Sequence, residues 1–337
     1  MGSRLLTLMS SVVVTLAVIA VASVSVAGQG AAGSAETSTA TKSWTPPRTP
    51  WGDPDLQGTW NNGTITPLER PKQYSGRERL SDEEVAALNG DAATRADRRE
   101  QKGTDADVNQ AYNAFWWDRG KSLGRTSLIV DPPDGRIPAY TPEGQKRVAA
   151  AANFGGRGAD SWLDRNLQER CVVYRPIPPI PTGYNNNYVI VQSPGYVAIL
   201  QEEIHETRII PLERRPHISP TIRQWLGDSR GHWEDNTLVV ETTNFTDKTN
   251  FRGSRGNLRV VERFTRVDSG TLDYQFTVDD PTTWTRPWTA ALPWQKSDGE
   301  LYEYACHEGN EGMTGILSGA RAEEKVAEEA AKKGSSR

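Results

Sequence analysis

The spacing of apolar positions changes character along this chain. In "LSDEEVAAL", Ser81 stands three residues before Glu84, the spacing in which each side chain satisfies the other's free amide, which predicts a helix start. The continuation to Lys102 is charged with weak apolar periodicity, as in a helix packed loosely on a body. Thr141, with Pro142 at the first helical position, starts a second helix, "PEGQKRVAAAAN". "DSWLDRNLQERC" predicts a third, short helix leading to Cys171. Ahead of all three, the Pro- and Trp-rich stretch from Trp44 to Pro71 holds one short strand around Gly58 to Thr64.

After "VYRPIPPIPTGY", too rich in proline for a helix or an interior strand, the period becomes two. "NNYVIVQ" and "VAILQEE" flank the turn "SPGY", "HWEDNTLVVETTNF" holds an Asp-Asn turn, and "LRVVERFTRVDSGTLDYQFTVDD" folds about "DSG". Leu272, Tyr274, Phe276 and Val278 alternate with Asp273, Gln275, Thr277 and Asp279, the mark of a sheet with one buried and one wet face. "TTWTRPWTAALPWQ" and "LYEYACHE" predict further strands, and "SGARAEEKVAEEAAKK" a charged terminal helix. Successive short hairpins predict an antiparallel meander, and closing it would remove the exposed edges. The fold class is therefore mainly β, a lipocalin-like barrel or strongly curved sheet with N-terminal helical decoration and a C-terminal helix.

Gly58-Thr59-Trp60 resembles the Gly-x-Trp of the first lipocalin strand, which implies a tryptophan closing one end of a barrel. The blocks "NNYVIVQSPGYVAILQEEIHETRIIPL", "RQWLGDSRGHWEDNTLVVETTNFTDKTNFRG" and "YEYACHEGNEGM" resemble a group of secreted proteins common in soil bacteria, over roughly residues 50–325. That resemblance implies no nameable activity, so function rests on the side chains.

Near its start the chain carries Arg4, an apolar run from Val12 to Ala22 and a small-residue site at Ser25, Val26 and Ala27, which predicts a cleaved signal peptide over residues 1–27. The run is too short to span a bilayer, so the expectation is a periplasmic or extracellular protein without stable membrane insertion. Residues 28–50 read as a flexible leader, 51–175 as a strand plus helical region packed on the body, 176–318 as the β body, and 319–337 as helix and tail. Charge is mixed and near neutral, without a nucleic-acid footprint. In an oxidising compartment the two cysteines, Cys171 and Cys306, predict a disulfide.

Candidate chemistry centres on the four histidines. In "ILQEEIHETRII" a regular strand would put His205 on one face with Gln201, Glu203 and Thr207, and imidazole is the side chain suited to proton transfer near neutral pH. His217, between prolines, sits on a stiff loop. "GDSRG" reads as a tight turn in which Asp228 is structural and Arg230 offers a planar fork to an anion, and His232 starts a strand. His307 and Glu308 follow Cys306, so a disulfide there would give them a fixed place. His205, His217, Arg230, His307 and Glu308 are the expected site, gathered at a barrel mouth. Usual metal-ligand spacings, the nucleophile elbow, the Walker loop and the dinucleotide fingerprint are all missing, so no cofactor is expected, a divalent metal held by histidines being the remaining option.

Eleven tryptophans, mostly core by their size, include Trp116, Trp117, Trp225, Trp233, Trp284, Trp288 and Trp294 beside polar residues. Some could line a cleft for a sugar or aromatic ligand. The leading expectation is a secreted lyase or hydrolase acting on a carbohydrate or plant-derived small molecule. The rival is a lipocalin-like binder without catalysis. The sequence does not speak to oligomeric state.

Overall fold

A computed structural model describes residues 44–96, 118–153, 159–175, 177–213 and 215–334. The predicted signal peptide, most of the leader, Trp116 and Trp117 lie outside these residues. Among the described residues there are three α-helices: α1 (Asp82–Ala96), α2 (Pro142–Asn153) and α3 (Glu311–Gly334). The caps read from sequence are in place. Ser81 N donates to Glu84 Oε2 at 2.8 Å, and Gly144 N donates to Thr141 Oγ1 at 3.0 Å. α3 begins at Glu311, before the stretch expected to be helical. The third N-terminal helix is reduced to a single 3-10 turn, Trp162–Asp164, followed by turns. Among the described residues no helix is long and apolar enough to cross a membrane.

The strands are β1 (Gly58–Asn61), β2 (Ile129–Asp131), β3 (Asn187–Ser193), β4 (Tyr196–Gln201), β5 (Thr207–Pro211), β6 (Asp228–Glu234), β7 (Thr237–Thr243), β8 (Arg259–Arg266), β9 (Thr271–Asp279), β10 (Trp288–Ala291) and β11 (Trp294–Lys296). Their order is β5-β4-β3-β1-β11-β9-β8-β7-β6, every neighbour antiparallel, with β10 paired to both β9 and β2. The sheet curls until its edges nearly meet, as a barrel. A Cβ at Gly231 of β6 would lie 2.9 Å from side-chain carbons of both Ile210 and Leu212, so β5 and the chain beyond it are packed against β6. Leu301–Glu308, expected to add a strand, forms none.

Alternation places the core. Leu272, Tyr274, Phe276 and Val278 of β9 are buried, while their alternates Asp273, Gln275, Thr277 and Asp279 are half-exposed. Trp60, Tyr188, Phe264 and Trp294 join them inside; Tyr188 and Trp294 stack at 4.5 Å between ring centroids. Trp60 is fully buried and donates from Nε1 to Leu56 O at 2.9 Å, and Arg266 caps its ring at 5.6 Å. The interior is thus filled with side chains. Trp284 and Trp288 are core as well, and Trp233 is half-buried against it, so most of the tryptophans named above serve packing.

The two ends of this barrel differ. Short turns after β3, β6 and β8 lie at one end. The opposite end receives the connections 202–206, 244–258 and 280–287, together with the start of β6. That loop end holds the ionisable side chains considered next.

Candidate functional site

β4 does not run on through His205. It stops at Gln201, and Glu203–His205 forms a 3-10 turn closed by Gln201 N donating to Glu206 O at 3.0 Å. The alternation in "ILQEEIHETRII" therefore belongs to a strand, a turn and a second strand. Glu203 and His205 are therefore not on one strand face. Ile204 pivots this turn at φ 56°, a conformation costly for a β-branched side chain and maintained here by its burial.

Glu203 is buried beneath the turn. Its Oε2 accepts from Arg175 Nε at 2.6 Å, and Arg175 donates further to Asn186 Oδ1, Thr182 Oγ1 and Tyr184 O. Burial pushes the Glu203 carboxyl up to about 7, and the nearby Arg175 only partly opposes this. Among the described residues Oε1 of Glu203 has no hydrogen-bond partner, and neither has Nε2 of Gln201. Gln201, Glu206, Arg208, Tyr188, Leu226 and Trp294 line a narrow mouth above the core. Within the barrel, Arg208 grips Glu262 at 2.5 and 3.2 Å, and Tyr274 Oη donates to Glu262 at 2.9 Å. Burial holds the Tyr274 phenol well above its ordinary range, with Glu262 adding to the effect.

The second cluster lies where β6 begins. "GDSRG" is not a turn: Asp228 and Arg230 are the first and third residues of β6, and His232 falls inside the strand. Asp228 is buried and meets three polar partners. His217 Nδ1 lies 2.7 Å from Oδ2, Ile218 N donates to the same oxygen at 3.2 Å, and Arg230 Nη1 is 2.8 Å from Oδ1. His217 Nε2 faces Glu241 Oε1 at 3.7 Å, beyond hydrogen-bond range, and the ring is one-quarter exposed. Glu241 in turn pairs with Arg259 at 2.7 Å, a hydrogen bond that lowers its carboxyl below the usual range, with His217 contributing. Arg230 commits Nε and Nη1 to Pro216 O, Ser229 O and Asp228. Among the described residues its Nη2 has no bond.

Of the expected site residues, the structure joins His217 and Arg230 through Asp228. His205 ends the turn that carries Glu203. His307 and Glu308 are exposed in the turn that follows Cys306. Cys171 and Cys306 are joined as expected, with their Cα atoms 5.7 Å apart. Among the described residues no three His, Cys, Asp or Glu side chains are arranged to hold a metal ion. His232 pairs with Glu234, itself held by Arg263, a surface ladder that serves the sheet.

Sequence reading missed two buried ion pairs, Arg175 with Glu203 and Arg208 with Glu262. A signal existed for Glu262, which shares the buried period of "VVERF" with Val260 and Phe264. A carboxylate at such a position needs a partner from elsewhere in the fold. No protein-family model and no curated protein matches this chain.

Proposed function

We propose that the protein is an exported enzyme of the lyase or hydrolase type, acting by proton transfer on a carbohydrate or similar polar small molecule at the loop end of the barrel. The observation that carries this reading is the Asp228–His217 pair. A buried carboxylate that fixes one ring nitrogen leaves the other to take a proton from, or return it to, a bound molecule. Asp228 suits that task because Arg230 and the Ile218 amide hold it in turn. Arg230 Nη2 is the donor available to developing negative charge. Glu203, at the same end, is a second carboxyl whose burial strengthens its hold on a proton.

A packed barrel interior favours this reading over a lipocalin-like binder, which needs an internal calyx. The test is turnover on a panel of neutral and acidic oligosaccharides and their esters, repeated with His217→Ala. Loss of roughly a hundredfold or more in kcat, with an unchanged circular dichroism spectrum, is expected. Turnover that survives the substitution intact overturns the assignment.

A further inference from the structure

A cleft of about 550 Å³, distinct from the two clusters above, lies between the segment Leu163–Tyr174 and the connection after β7. Its volume falls in the range of small-molecule sites. Charge is the informative feature. Arg165, Arg170, Lys248 and Arg255 line it against a single carboxylate, Asp164. Asp164 is engaged in capping, accepting from Ser161 N at 2.7 Å and from Ser161 Oγ at 3.2 Å. Arg165 is neutralised by a two-pronged contact with Glu169 at 2.8 and 2.9 Å. Arg170, Lys248 and Arg255 remain, and among the described residues none of their side chains has a carboxylate partner.

The cleft is held in shape. Arg170 lies 4.6 Å from the centre of the Trp162 ring, and its Nε is buried without a hydrogen-bond partner among the described residues. The disulfide at Cys171 anchors this wall, and Asn310 Nδ2 donates to Glu169 O at 2.9 Å. On the far wall Thr249 Oγ1 donates to Trp225 O at 3.1 Å. Three cations without a carboxylate partner among the described residues, on braced walls, attract an anion with more than one acidic group. On the same lining, Gln168 and the side-chain nitrogens of Asn166 and Asn250, whose oxygens accept from Glu169 N and Gly253 N, suit hydroxyl groups.

We infer that this cleft binds an acidic oligosaccharide, a short sugar chain bearing carboxylates, independently of any role for His217. Isothermal titration calorimetry with trigalacturonate, maltotriose and inorganic phosphate tests the inference, on the wild-type chain and on Arg170→Gln/Arg255→Gln. Arg263→Gln, on the outer sheet face, is the control. The expected result is millimolar or tighter binding of trigalacturonate, weakened at least tenfold in the double variant and by added salt, with the control unchanged. Trp162 fluorescence should respond to the same titration. Equal binding of maltotriose, equal binding of phosphate, an unaffected double variant, or no heat from trigalacturonate at millimolar concentration would each overturn it.

Discussion

Replacing Glu203 by glutamine should flatten one part of the protein's pH–stability curve. The carboxyl is fully buried and titrates at about 7, against an ordinary value of 4.5. A pKa raised on folding means that the native state holds the proton more tightly than the unfolded chain does. Its stabilising contribution is therefore complete below pH 4.5, declines as pH rises toward 7, and stays constant above that. The difference of about 2.5 pKa units corresponds to roughly 3 kcal/mol, at about 1.4 kcal/mol per unit. Urea denaturation of wild type and Glu203→Gln at half-unit steps from pH 4 to 8 measures it. The other carboxylates titrate alike in both proteins, so the difference curve isolates this one. Wild type should lose roughly 3 kcal/mol relative to the variant between pH 4.5 and 7. Parallel curves would show that Arg175 fully compensates the buried charge, and would refute the argument.

Three further outcomes are expected. Replacing both cysteines by alanine reopens a loop of 135 residues and should lower stability by up to about 5 kcal/mol on chain-entropy grounds, read by the same denaturation assay. Gly231→Val must displace Ile210 and Leu212 and should cost roughly 1–3 kcal/mol, with near-ultraviolet circular dichroism reporting the disturbed core. If His217 and Asp228 act as one unit, Asp228→Asn combined with His217→Ala should lower kcat little more than either change alone; an additive loss would separate them.

The sheet was legible because each hairpin carries its own local signal. Alternation at Leu272 to Val278 and the turns at Asp235-Asn236 and Asp268-Ser269-Gly270 specify strands without reference to anything distant. The disulfide was legible from the even number of cysteines and the expectation of export. The site was less so, for three reasons of physics. A five-residue strand connection and a continuing strand share the same polar-apolar pattern, which hid the turn at Glu203–His205. Glycines beside Asp228 and Arg230 suggested a turn, yet Gly231 is there to let β6 approach Ile210 and Leu212. Partners far apart in sequence, such as Arg208 with Glu262, become visible only when the chain is closed.

Counting strands around the barrel gives its seam a definite character. Nine strands, each antiparallel to the next, leave the first and last, β5 and β6, pointing the same way. An alternating series closes its own ladder only with an even number, so a seam between these two would need the slanted bonding of parallel strands. None is formed among the described residues; side chains such as Ile210 and Leu212 bridge the line instead. The amide protons along the facing edges of β5 and β6 are therefore the ones in the wall of the barrel that solvent deuterium should replace first. Any ligand that bridges the seam would register as selective protection of those same amides.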